Sequence, residues 1–168
     1  EYPNYPSELK YLSTDANRID YLATVIKDIA NAGNTFVLID RIKTGEMLIE
    51  RIPDAMFVRG ATKNEERKET YDEVATGNDS LIIATYGVAS VGINIPRIFN
   101  LVLIEPGKSF VRVIQSIGRG IRKAHDKDFV QIWDITSNCK YSKRHLTTRK
   151  KYYREAQYPF NIEKISYK

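Results

Sequence analysis

At 168 residues, 42% hydrophobic and 28% charged, the chain has the length and composition of one globular domain that can bury a core without staples. No apolar run approaches the roughly 18 residues of a membrane span, and a single cysteine, Cys139, excludes an internal disulfide, so a soluble protein in a reducing, cytoplasmic setting is expected, with no membrane partner. The net charge of +5 and a pI near 9.2 favour a polyanionic partner.

In chain order, Glu1 to Ser7 carries prolines at positions 3 and 6 and reads as an extended linker, and residues 1–9 are expected to join this chain to a preceding domain. From about Asp15 to Ala32 one apolar face repeats through Ile19, Leu22, Ala23, Ile26, Ile29 and Ala30, a helix ended by Gly33. Thr35 to Ile39 predicts a strand buried on both faces. Lys43 to Ile52 reads as helix, Ala55 to Val58 as a short strand, and Arg59-Gly60 as a turn. Thr62 and Glu65 have capping-box spacing for a polar helix reaching about Ala75. Three more strands are predicted at Ser80–Ala84, Leu101–Glu105 and Phe129–Ile135. The rhythm argues for an α/β fold, a mostly parallel sheet with helices on both faces. Ligands gather beyond the carboxyl ends of such strands, where Asp40, Thr85, Glu105-Pro106 and Asp134 are expected. From Lys140 to Arg154 no acidic residue interrupts Lys140, Lys143, Arg144, Arg149, Lys150, Lys151 and Arg154, with Tyr141, Tyr152 and Tyr153 interleaved. This predicts a basic helix, followed by Pro159 and a last strand at Ile162 to Ile165. The expected division is a domain over 10–138 and a basic helical extension over 139–168.

Two segments carry chemistry. Phe110, Val113, Ile114 and Ile117 lie at helical spacing behind Ser109, an N-cap, and Gly118 stops the helix, so Arg119 and Arg122 sit just past a buried element. A planar, always charged guanidinium suits phosphate oxygens; alternatively, such arginines merely offset the negative pole of a helix end. Upstream, Gly87-Val-Ala-Ser-Val-Gly92 has the glycine spacing of a Walker A loop, but Ile93-Asn94 stands where the lysine and hydroxyl residue are needed. The chain therefore lacks a complete nucleotide site of its own.

Together, Thr85, Gly92 and Pro96 with Gln115, Gly118, Arg119 and Arg122 resemble motifs V and VI of superfamily 2 helicases, Asn94 standing where that family commonly has an aspartate. Phe36 to Arg41 resembles motif IV, Val58-Arg-Gly60 the turn called motif IVa, and Arg67 a frequent arginine of the family. The resemblance runs from Gly33 to Ile135 and implies the second of two RecA-like domains, the first, absent here, holding most of the ATP and Mg2+ contacts. It further implies that Arg119 and Arg122 act as arginine fingers, that Gln115 orients water or phosphate, and that Gly92, Asn94 and Gly118 approach the nucleotide. Nucleic-acid contacts are implied for Thr85, Arg41, Arg59 and Gly60, and the basic tail adds Lys143, Arg144 and Arg149. The motif wording and the His145-x3-Arg149-x2-Tyr152 run resemble phage helicases of recombination, which implies ATP-dependent unwinding of branched DNA, meaning forks, Holliday junctions and R-loops, in replication and repair. Two other readings stay open: a duplex DNA translocase of the restriction or remodelling kind, and a non-catalytic nucleic-acid-binding module.

His125 and His145 have no cysteine or carboxylate at ligand spacing, so no metal site is expected.

Overall fold

The computed structural model describes residues 3–59, 80–90, 98–107, 130–155 and 160–165. The predicted helix at Thr62–Ala75, the motif V glycine and asparagine, and the whole motif VI helix lie outside these residues.

The opening segment departs from the extended linker expected for it. Helix α1 spans Tyr5–Thr14, and the Asn4 side chain caps it by accepting the Ser7 N–H at 3.0 Å. Pro6 sits in the first turn, where its missing N–H costs nothing. The helix buries Leu9, Leu12 and Glu8, which an extended segment would leave in water.

Helix α2 spans Ala16–Ala30, with the Asp15 carboxylate accepting the Arg18 N–H at 3.1 Å as its N-cap. Its predicted stripe is buried: Ile19, Leu22 and Ile26 have no exposed surface. Gly33 then adopts φ +144°, and a Cβ there would meet the Phe99 ring at 3.1 Å, so only glycine turns the chain into β1 at this point.

The strands are β1 (Thr35–Ile39), β2 (Met56–Val58), β3 (Leu81–Thr85), β4 (Asn100–Ile104) and β5 (Gln131–Ile135). They form one sheet in the order β2-β3-β1-β4-β5, and every pairing is parallel. Helix α3 (Ile42–Arg51) leads from β1 to β2, α4 (Tyr86–Ser90) follows β3, and α5 (Lys140–Glu155) follows β5.

Strand side chains alternate between two cores. On one face Val37, Ile39, Ile83, Val102 and Ile104 pack against Ile19, Leu22 and Ile26 of α2 and Leu48 of α3. On the other, Phe36, Leu38, Ile82, Leu101 and Leu103 pack with Val88 of α4 and Tyr153 of α5, while Tyr152 lies against its margin. The double layer explains why β1 and β4 read as unbroken apolar runs after their first residues, Thr35 and Asn100: each strand is buried along its whole length.

The last predicted strand is not formed. Residues 160–165 carry no regular structure, and Ile162 and Ile165 are 55% and 58% exposed. They are spaced by three with Glu163 and Lys164 between them, a pattern that gives a strand no single apolar face to bury.

Candidate nucleic-acid interface

The pairing register brings the carboxyl ends of the strands to one rim. Ile39 lies beside Thr85, Val58 beside Ala84, and Ile104 beside Ile135. The residues that follow, Asp40 with Arg41 after β1, Arg59 after β2 and Glu105 after β4, therefore gather with Thr85 at the end of the sheet where an α/β fold binds ligands.

Two cations expected to touch nucleic acid stand on this rim. Arg41 leads into α3 and contributes no side-chain cap. Its Nε lies 4.0 Å from the Asp40 carboxylate, with the two side chains 38% and 42% exposed, so the pairing is loose and the guanidinium remains open to water. Burial raises the Asp40 carboxyl above its ordinary value, against the opposing pull of Arg41. Arg59 lies over the Phe57 ring at 5.2 Å, which orients its planar fork. Thr85 turns its hydroxyl back on the chain, accepting the Val88 N–H at 3.4 Å at the start of α4, and Tyr86 beside it donates its hydroxyl to the Ile104 carbonyl at 2.8 Å. Burial, reinforced by Asp134, raises that Tyr86 hydroxyl well above its ordinary pKa, which suits a fixed donor. Gly60, Gly92, Asn94, Gln115, Gly118, Arg119 and Arg122 lie outside the described residues.

The tail divides by helical face. Lys143 and Arg144 are exposed on α5, as a surface contact requires. Arg149 is not on the surface, which corrects the expectation that it grips nucleic acid. Its side chain is 1% exposed and forks onto Asp134, with Nε at 2.7 Å from Oδ2 and Nη2 at 2.9 Å from Oδ1. Arg149 Nη2 also donates to the Thr136 hydroxyl, and the Tyr153 hydroxyl donates to Asp134 Oδ2 at 2.7 Å. Burial, and then the neighbouring Asp134, raise the Tyr153 hydroxyl, keeping it protonated as that donor. The tyrosine is core packing rather than a stacking platform.

A second buried network was not foreseen from the residues alone. Glu8 of α1 caps α5, its carboxylate accepting the N–H of Tyr141 at 3.0 Å and of Ser142 at 2.8 Å. Glu105 takes φ +46°, a strained conformation for a residue with a Cβ, about 1–3 kcal/mol, and this turns its carboxyl inward. There it meets Arg18 Nη2 at 2.6 Å and the Ser137 N–H at 2.7 Å. Ser142 Oγ lies 2.9 Å from Glu8 Oε1 and 2.8 Å from Glu105 Oε2. The Ser142 hydroxyl thus stands between the two carboxyl groups as the donor that both can accept. Burial raises the Glu105 carboxyl, opposed first by Arg18 and then by Ser142. Tyr5 packs edge-on against buried His145 at 4.5 Å, and burial, with Asp40 next, pushes its hydroxyl up to about 12. The only local signal for this network was polar spacing: Ser142, His145, Arg149 and Tyr153 repeat on one helical face, a stripe that apolar periodicity overlooks.

Among the described residues no group of three His, Cys, Asp or Glu side chains is placed to hold a metal ion, and no helix is long and apolar enough to cross a membrane.

Known proteins resemble this arrangement. The chain is 28% identical over 153 residues to the ATP-dependent DNA helicase uvsW of Enterobacteria phage T4, a match covering 88% of this chain and 30% of that protein. It is 30% identical over 138 residues to putative helicase 22 of Sulfolobus islandicus filamentous virus, covering 80% of this chain and 24% of that one. The fold superposes on the crystal structure of T4 UvsW with a TM-score of 0.76 at 24% identity, over 92% of this chain and 36% of the other. It superposes on the C-terminal domain of the DEAD-box protein Dbp5 with a TM-score of 0.65 at 20% identity, over 84% and 81% of the two chains. The chain thus spans less than a third of the length of the two curated relatives. A family model, that of the helicase conserved C-terminal domain, matches residues 17–124. With its parallel RecA-like sheet and this match over most of its length, the chain belongs to the helicase conserved C-terminal domain family.

Proposed function

We propose that this chain is the second motor domain of an ATP-dependent DNA helicase that acts on branched DNA, working beside an N-terminal RecA-like domain of the same polypeptide. The observation that carries the reading is the rim itself, where a fully parallel sheet presents Arg41, Arg59 and Thr85 together at its carboxyl end. These groups suit sugar-phosphate oxygens, and contacts to the backbone give position without reading sequence, as stepping along a strand requires.

In this proposal Arg119 and Arg122 reach phosphate held by the companion domain, Gln115 orients water or phosphate, and Gly92, Asn94 and Gly118 let the backbone approach the nucleotide. Bound Mg-ATP supplies the hydrolysis that drives the motor. An arginine of this kind contributes about a thousandfold or more to turnover by stabilising charge on the transferring group. The similarity to a phage ATP-dependent DNA helicase supports a DNA substrate, and a cytoplasmic site of action accompanies the reading.

The test compares strand separation on forks, Holliday junctions and R-loops with movement on linear duplex, using the full-length protein. Unwinding of the branched substrates, lost without ATP, is the expected result. Movement on duplex with no strand separation would instead identify a translocase, and binding with no ATP-dependent activity a passive nucleic-acid module.

A further inference from the structure

Helix α5 has two faces of opposite character. Ser142, His145, Arg149 and Tyr153 are buried, whereas Lys140, Lys143, Arg144, Thr147, Lys151 and Arg154 are exposed. Thr148 and Glu155 are exposed beside them; at about 100° per residue the five cations fall within an arc of about 100° opposite the buried set. From Lys140 to Arg154 this arc runs for about 21 Å at 1.5 Å per residue. Among the described residues, Lys143, Arg144, Lys151 and Arg154 form no ion pair.

The ridge is held rigidly. Its first turn is capped by Glu8, its middle is forked onto Asp134 through Arg149, and its last turns are anchored by Tyr153 in the core. Lys140 and Arg144 lie over the Tyr141 ring at 5.4 and 5.6 Å, and the Tyr141 hydroxyl donates to the Pro3 carbonyl at 3.1 Å. An open hollow of about 640 Å³, lined by Asn138, Lys140, Lys143, Arg144 and Thr147 among others, lies at the amino end of the ridge. Cations fixed in this way lose little side-chain freedom on binding an anion.

A phosphodiester chain fits these dimensions. Each strand of a duplex presents one phosphate per about 3.4 Å of axis, so about 21 Å of axis carries about six phosphates of a strand, and a straight ridge meets those on the side of the duplex that faces it. A lipid surface fits poorly, because a helix lying in a membrane interface buries an apolar face, and the inner face of α5 is already packed on the sheet.

We infer that the outer face of α5 is a further nucleic-acid contact, beyond the rim residues Arg41, Arg59 and Thr85, that tracks one DNA backbone through Lys140, Lys143, Arg144, Lys151 and Arg154 without reading bases. This rests on the nucleic-acid-handling reading above and extends it.

The test is equilibrium binding of the full-length protein to forked DNA, without nucleotide, from 50 to 200 mM salt. Wild type is set beside K140Q/K143Q/R144Q/K151Q/R154Q and beside the charge-preserving K140R/K143R/R144K/K151R/R154K. Each phosphate contact contributes about 0.9 to the slope of log affinity against log salt on duplex and about 0.7 on single strands. The glutamine variant is expected to bind more weakly at low salt, with a slope shallower by about 3.5 to 4.5, while the charge-preserving variant keeps the wild-type slope. Should the fivefold variant unfold, K143Q/R144Q is measured instead, with a slope change of about 1.4 to 1.8. An unchanged slope overturns the inference. So does a variant that loses binding to phosphatidylserine vesicles while its DNA slope stays that of wild type. No hydrolysis enters this assay, so it can succeed where the motor reading fails, and the reverse.

Discussion

Replacing Arg149 with alanine separates a structural cation from a DNA-binding one. In the folded chain the guanidinium is 1% exposed and its partner Asp134 13% exposed, with Thr136 and Tyr153 completing the site. Arg149→Ala leaves the Asp134 carboxylate buried without its counter-ion, and breaking such a pair from one side costs about 3–5 kcal/mol. Against a total stability of about 5–15 kcal/mol, that is a large fraction, worth roughly 6–20 °C in thermal midpoint at about 2–4 °C per kcal/mol for a chain of this length. Arg149→Lys keeps the charge but loses the two-pronged geometry and falls between the two. The double change Arg149→Met with Asp134→Leu removes both charges together and recovers most of the loss. Urea unfolding of the four proteins, with DNA binding in parallel, makes the measurement. The reasoning is refuted if Arg149→Ala costs less than about 1 kcal/mol, or if it weakens DNA binding while unfolding at the wild-type midpoint.

Other changes probe the remaining contacts. Glu105 has a folded-state pKa raised above the ordinary carboxyl value of 4.5, so the folded chain binds more protons than the unfolded one and this group's contribution falls as pH rises from about 4.5 through the folded-state pKa. Glu105→Gln, which removes the titrating group, is expected to flatten that fall in a urea-midpoint series between pH 4 and 8; a profile superimposable on wild type would contradict the raised carboxyl. Tyr153→Phe deletes one hydrogen bond to a charged acceptor and should cost about 1.5–3 kcal/mol in equilibrium unfolding, whereas a neutral result would mean the hydroxyl is solvated. Gly33→Ala forces a Cβ into a positive-φ turn against Phe99 and should lower stability by about 1–3 kcal/mol, with an unchanged thermal midpoint as the contrary outcome.

The regular core was legible because its signals are local. The β1 run is apolar from Phe36 to Ile39, the α2 stripe has helical spacing behind a capping Asp15, and both elements appear within about two residues of their expected limits. The rim followed from them, since Asp40, Thr85, Glu105 and Asp134 could be assigned to strand ends before any pairing was known. What escaped depends on distance in the chain. Proline at position 6 signalled extension, but Asn4 captured it into a helix, and that helix acquired its meaning from Glu8 meeting residues more than 130 positions away. Arg149 read as one more cation in a basic run. Only the fold brings Asp134 beneath it, and a buried face made of serine, histidine, arginine and tyrosine does not announce itself by hydropathy.

The measurement that bears most directly on the motor reading is DNA-stimulated ATP hydrolysis by the full-length protein, wild type beside Arg119→Ala and Arg122→Ala, with binding to forked DNA followed in parallel. The expected result is turnover reduced by about a thousandfold or more while DNA binding survives, as it must if these arginines act on a nucleotide held by a companion domain. Hydrolysis at the wild-type rate in both variants would contradict it and leave the chain a nucleic-acid-binding module with a motor's fold.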